Sequence, residues 1–344
     1  MLSGWRTWCK SILLLVIGIG FVACTPHYQM MGEAIRKPEL LENTAIMADG
    51  YRLPMTKTVA MGRERAVIVA LHGINDHRGQ WIDTARDWSA DGITTYAYDQ
   101  RGYGESQKRG IWAGHETLTS DLKTLAMLAV RKHQGVPVFL VGESMGGAVI
   151  LATLGQGKLD GVEGAVLAAP AVWSRENMNW FYQGLLWMAA RMAPGGSSTG
   201  RGLGIRASDN IEMLRALGRD PLYVRKTRFD TLEGFVDLMD RAYAAAPKVD
   251  TPLLVLYGKR DQLVPAKSMR RTVKRFTGPH RVAIFEDGWH LLFRDLKGTI
   301  VRRDVAHWIL SGDSALPSGA DQRADGFLSR RKGKHVGESS VIGD

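Results

Sequence analysis

The run Pro137-Val138-Phe139-Leu140-Val141-Gly142-Glu143-Ser144-Met145-Gly146-Gly147-Ala148-Val149-Ile150 joins two patterns without a linker. Its first half is a short, continuous apolar stretch of the kind that forms a strand covered on both faces. Its second half is small and apolar, and residues 144–154 read as a helix. At the junction, Gly142-Glu143-Ser144-Met145-Gly146 is a G-x-S-x-G. The bare pattern is common, but a strand directly before it and a helix directly after it make it informative. So sharp a turn crowds the backbone around residue 144, which is why glycines flank it. The turn lifts the Ser144 hydroxyl out of the sheet edge and aims a helix N-terminus at it, a place that favours developing negative charge.

Working outward, strand-like runs recur at 67–71, 94–99, 164–170, 252–258 and 281–286, most of them continuous rather than alternating. Helical patterns lie between several of them. Leu118, Leu122, Leu125, Leu128 and Ala129 fall on one stripe, with Asp121 near its start and Arg131 and Lys132 near its end, as the helix dipole favours. Residues 266–276 also read as a helix, and 43–61, with Asp49-Gly50 between extended stretches, as an antiparallel hairpin opening the sheet. Strand–helix alternation predicts an α/β fold with a mostly parallel, doubly wound sheet. From 171 to 250 the alternation lapses. Trp173, Met178, Trp180, Phe181, Leu185, Leu186, Trp187, Met188 and Met192 come in quick succession, a Gly/Ser-rich stretch follows at 194–204, and then a second helical stretch. This predicts a helical cap at 171–250, dividing a core of 43–170 and 251–312. Most of these side chains are expected to pack the cap onto the core; their surplus suggests an apolar pocket or a membrane-facing lip.

The chain has 344 residues, 45% apolar and 23% charged, an ordinary globular mix that excludes disorder, collagen and coiled coil for the whole. Lys and Arg number 45 against 35 Asp and Glu, a net charge of +10. No Lys/Arg stripe interleaved with aromatics occurs before the tail, so nucleic acid is not an expected partner. Residues 313–344, with Arg330-Arg331-Lys332-Gly333-Lys334, predict a disordered basic tail with some attraction to anionic surfaces. At the other end, Arg6 and Lys10 precede an apolar run at 12–23. That run is shorter than the roughly 20 residues a bilayer span needs, and it fits the core of a secretory signal. Phe21-Val22-Ala23-Cys24 resembles the lipobox of bacterial lipoproteins, which implies removal of residues 1–23 and acylation of Cys24, with 24–42 as a linker. Cys9 and Cys24 are the only cysteines, so no disulfide framework arises. Thr25 rather than Asp after the cysteine implies, by the same resemblance, the outer membrane of the bacterial envelope.

A serine hydroxyl needs a base that is itself held by an acid. Asp261, in Gly258-Lys259-Arg260-Asp261, follows the apolar run at 252–258; His290, in Asp287-Gly288-Trp289-His290, follows that at 281–286. Both therefore come to the carboxyl edge of the sheet, where reactive groups gather in open α/β folds. Ser144 is the expected nucleophile, His290 the base, and Asp261 the group that fixes the imidazole. The backbone N–H groups of Ile74, after Leu71-His72-Gly73, and of Met145 are expected to form the oxyanion hole. His72 is read as a residue that orients the loop. His72-Gly73-Ile74-Asn75-Asp76-His77 also resembles the H-x-H-x-D-H of dinuclear metallohydrolases, but Ile74 replaces a ligand and no further ligand set follows. Neither a metal nor another cofactor is expected.

From about residue 43 to 310 the chain resembles the serine α/β-hydrolases of the monoacylglycerol lipase and lysophospholipase group. The resemblance is carried by His72-Gly73, Asp99-Gln100-Arg101-Gly102-Tyr103-Gly104-Glu105-Ser106, the G-E-S-M-G-G at 142–147, Asp220-Pro221-Leu222, Gly258-x-x-Asp261-x-x-Val264-Pro265 and Gly288-Trp289-His290. Where family members often show His-Ser-Gly-Arg-Tyr, this chain reads His77-Arg78-Gly79-Gln80-Trp81. Asp99 and Arg101 are expected to brace their loop. The resemblance implies hydrolysis of carboxylesters of single-acyl lipids beneath a helical cap. Short-chain esterase, thioesterase and peptidase chemistry remain alternatives, and a catalytically silent surface lipoprotein is the alternative of another class.

Overall fold

Strand β4 (Ala66–Leu71) has all six side chains buried, as do β5 (Ile93–Tyr98), β6 (Val138–Glu143) and β10 (Leu253–Gly258). Such strands need cover on both faces, and the computed structural model, which describes residues 25–200, 204–312 and 314–329, supplies it. Nine strands form the main sheet in the order β1-β2-β3-β5-β4-β6-β7-β10-β11. The edge strands β1 (Glu39–Leu40), β2 (Thr44–Ile46) and β3 (Arg52–Thr58) run antiparallel, and β3 joins β5 antiparallel. The rest, including β7 (Val162–Ala168) and β11 (His280–Phe285), are parallel. The expected hairpin is β2–β3, with Gly50 at φ 77° in its turn.

Helices α1 (Ile82–Ala90), α2 (His115–Lys132) and α3 (Met145–Leu154) follow β4, β5 and β6. Helix α3 is buried along its whole length. Between β7 and β10 lie α4 (Trp180–Met192), the strand pair β8 (Ser197–Ser198) and β9 (Thr227–Arg228), α5 (Ile211–Arg219) and α6 (Phe229–Ala245). The chain ends with α7 (Ala266–Val273), α8 (Gly298–Ser311) and α9 (Ala324–Leu328). One apolar core lies where α2, α3 and α6 face the sheet. The other gathers α1, α8, Trp81, Trp88 and Phe293 on the opposite face.

Four expectations are corrected. Helix α6 is no part of a cap: it packs on α3 with Val236, Leu238, Met239 and Ala242 buried, so the cap proper ends near residue 228. Most of the cap's large apolar residues do not pack inward; on α4 only Ala190 is buried. Residues 25–42 are not a free linker. Gln29 is buried and bonds Trp112 and Ile111, and His27 N donates to Asp230. Residues 314–329 are ordered: Leu316 and Ala320 are buried, and the Phe327 ring meets Tyr257 at 5.2 Å. The signal segment 1–23, Cys24 and residues 330–344 lie outside the described residues. No described helix is long and apolar enough to cross a membrane.

Candidate active site

Ser144 is the cap residue between β6 and α3, with φ 54° and ψ −113°. A residue with a side chain adopts positive φ only at a cost, about 1–3 kcal/mol, that its surroundings must impose. Here the surroundings impose it through bare positions. A Cβ on Gly142 would lie 2.4 Å from Gly146 C, and one on Gly146 2.4 Å from Leu71 O. The strand end therefore packs directly on its neighbour, and the helix N-terminus is driven up under Ser144.

Asp261 and His290 follow β10 and β11, which pair in the sheet. Glycines again allow the approach: a Cβ on Gly258 would lie 2.2 Å from Trp289 O. His290 Nδ1 sits 2.9 Å from Asp261 Oδ2, with both side chains buried. The other carboxylate oxygen of Asp261 accepts from the Leu263 and Val264 amides at 2.7 and 3.0 Å, which fixes the carboxylate plane. Burial alone would lower the pKa of His290. The Asp261 charge and hydrogen bond, with Glu143 and Asp295 nearby, outweigh it and hold the imidazole above its ordinary 6.5. The structure thus joins two of the three expected residues directly. The Ser144 hydroxyl makes no hydrogen bond among the described residues.

The loop after β4 lies against this serine: a Cβ on Gly73 would be 3.5 Å from Ser144 Cβ. Neither the Ile74 nor the Met145 amide donates to a backbone carbonyl among the described residues. Met145 opens α3, so its N–H has no partner within the helix. The loop is held elsewhere. Asn75, at φ 66°, accepts from Val224 N at 2.9 Å and donates to Thr227 Oγ1 at 2.8 Å. His72 is buried, lies 2.8 Å from Gly73 O through Nδ1, and accepts from Gln100 N through Nε2 at 3.0 Å. Burial lowers its pKa, which suits a neutral brace. Arg101 grips Asp121 and Asp49 at 2.6–3.0 Å, and Asp99 accepts from the Arg78 and Glu105 amides, so both brace the loop after β5. His77 is likewise committed, 3.0 Å from Asp220 Oδ2 in the cap. Among the described residues, no group of three His, Cys, Asp or Glu could hold a metal ion.

A buried polar chain beneath the loop escaped the reading of the sequence. Gly73 N donates to Gln80 Oε1 at 3.1 Å, and Gln80 Nε2 donates to Glu143 Oε2 at 3.0 Å. Arg294 Nη2 lies 3.7 Å from that oxygen and 2.5 Å from Asp76 Oδ2. Burial, opposed by Arg294 and His290, pushes the Glu143 carboxyl up to about 7. Its one sequence signal is an acid that closes an otherwise apolar strand. A mixed-charge cleft of about 720 Å³ opens beside Asp76, Gln80 and Arg294; Ser144 and His290 do not line it.

Known proteins resemble the chain in sequence and in fold. A monoacylglycerol lipase of Mycolicibacterium smegmatis is 27% identical over 260 residues, 72% of this chain and 89% of that protein. A monoglyceride lipase of Homo sapiens is 25% identical over 256 residues, covering 73% and 84%. The crystal structure of Paleococcus ferrophilus monoacylglycerol lipase superposes with a TM-score of 0.63 at 25% identity, covering 75% of this chain and 98% of that one. The model of the family described as Serine aminopeptidase, S33, matches residues 62–297, and the chain belongs to that family of α/β-hydrolases.

Proposed function

We propose that this protein is a serine hydrolase that cleaves esters of single-acyl lipids, of the monoacylglycerol or lysophospholipid kind. The observation that carries the reading is the elbow at Ser144: positive φ, bare flanks, and a helix N-terminus beneath the hydroxyl. Ser144 Oγ attacks the ester carbonyl and gives its proton to His290 Nε2, while Asp261 holds Nδ1 and stabilises the imidazolium. The carbonyl oxygen, now an anion, is met by the Ile74 and Met145 N–H groups; one such donor is worth about 3 kcal/mol. Collapse releases the alcohol, protonated by His290. Water, deprotonated by His290, then frees the acid from the acyl-serine. Two further facts favour a lipid substrate. The relatives named above are lipases of single-acyl glycerides. Helix α4 also presents Trp180, Phe181, Tyr182, Leu185, Trp187, Met188 and Met192 outward, each 46–80% exposed. We further propose that acylated Cys24 holds the enzyme to the bacterial envelope, at the outer membrane.

A fluorophosphonate probe is expected to label the wild type and not Ser144→Ala. On a panel of esters, activity is expected to rise from acetate to long-chain monoacylglycerols. A profile that peaks at acetate and dies by octanoate, or a preference for aminoacyl amides, would refute the lipid substrate while leaving the nucleophile intact.

A further inference from the structure

We propose that Glu143 is a positioning residue that sets the oxyanion loop against the nucleophile; the inference rests on the reading of Ser144 as nucleophile. Glu143 immediately precedes Ser144 and is fully buried, as are, to within 6%, Asp76 and Gln80. A buried carboxyl is costly, and an apolar side chain of similar size would avoid that cost. What the polar group gains is a connection no apolar residue makes. Its Oε2 receives the Gln80 amide at 3.0 Å, and the Gln80 oxygen in turn receives Gly73 N–H at 3.1 Å. The end of β6 is thereby tied to the start of the loop that carries the Ile74 N–H.

The far end of that loop is tied through the same centre. Asp76 receives Arg294 Nη2 at 2.5 Å, and that nitrogen lies 3.7 Å from Glu143 Oε2. Asp76 N also donates to Gly73 O at 3.3 Å, closing the loop on itself. So Gly73 and Asp76, which bracket Ile74, are both referred back to the residue beside Ser144. The spacing of the two oxyanion amides, one on the loop and one at Met145, is set by this short polar chain. A misplaced donor loses much of its effect, because stabilisation depends on where the oxyanion will be.

The test uses the full chain and a long-chain ester. Glu143→Leu removes the acceptor; Gln80→Leu removes the same link from the loop side and serves if the first variant does not fold. Each is expected to lower kcat by about tenfold to a hundredfold with KM within about twofold, a partial loss of one oxyanion donor. Glu143→Gln, which keeps an acceptor for Gln80, is expected to stay within about threefold of wild type. Because the two residues act as one link, the double Leu variant is expected to be no slower than the worse single. The proposal is overturned by kcat unchanged in Glu143→Leu, by Gln failing as badly as Leu, or by losses that multiply in the double variant. Fluorophosphonate labelling separates the two readings. A labelled wild type with an unaffected Glu143→Leu sinks the brace alone, whereas an unlabelled and inactive wild type sinks the hydrolase and the brace together.

Discussion

At the scale of the residue, the site depends on pairs that only folding assembles. His290 must be neutral to accept the Ser144 proton, and Asp261 holds its pKa above 6.5 against the pull of burial. A raised pKa means that protonation sets in at a higher pH, so the acid limb of kcat/KM is expected above pH 6.5. Asp261→Asn is expected to move that limb down and to lower kcat by about four orders of magnitude through the wrong tautomer. A pH–rate profile of both forms checks this; an unmoved limb would remove Asp261 from its role. Ser144, Asp261 and His290 were legible in the sequence because each comes within a few residues of the end of an apolar strand, at once for Ser144, three residues on for Asp261 and five for His290, and a strand's end fixes which sheet edge the following loop occupies. Gln80, Glu143 and Arg294 were not: they meet across 214 residues of chain, and neither Gln nor Arg sits in a pattern that announces a partner.

Among the elements, the buried parallel strands were the most legible, since continuous apolar runs leave little choice of environment. Helix α6 was misassigned because its stripe of Val236, Leu238, Met239 and Ala242 says only that one face is covered. It does not say whether the cover is a lid or the helix α3. The segment at 314–329 was misread for the opposite reason. Its composition is polar, and a few side chains such as Leu316 and Phe327 suffice to dock it. Helix α4 is unusual in the other direction, with a nearly continuous apolar surface left outside. Trp180 and Trp187, 80% and 58% exposed, contribute little to folding and much to any transfer into lipid. Replacing both by Ser is expected to weaken binding to anionic lipid vesicles by roughly tenfold per residue, at about 1.5 kcal/mol each. Vesicle sedimentation would show it, and unchanged partition would mean that α4 faces something other than lipid.

For the whole molecule, the basic balance, 45 Lys and Arg against 35 Asp and Glu and still positive by eight once residues 1–23 with Arg6 and Lys10 are removed, and the apolar α4 both suit an anionic bilayer surface. The acylation proposed for Cys24 would add the stronger hold, since several acyl chains anchor far better than one. Cys24→Ala is expected to move the protein from the membrane to the soluble fraction after a salt wash, in an envelope fractionation. Retention of the variant in the membrane would sink the anchor. The strap at the N-terminus gives that anchor a geometry. His27 is pinned to Asp230, whose own amide bonds Pro194 O just beyond α4, so the chain leaves the body beside the outward-facing helix. Position 24 is three residues along the chain from that pin, a span of at most about 10 Å. If Cys24 is acylated as proposed, an enzyme moored so closely would graze only the leaflet it sits in: lipids beside it would be within its sweep, and those of a facing membrane would not.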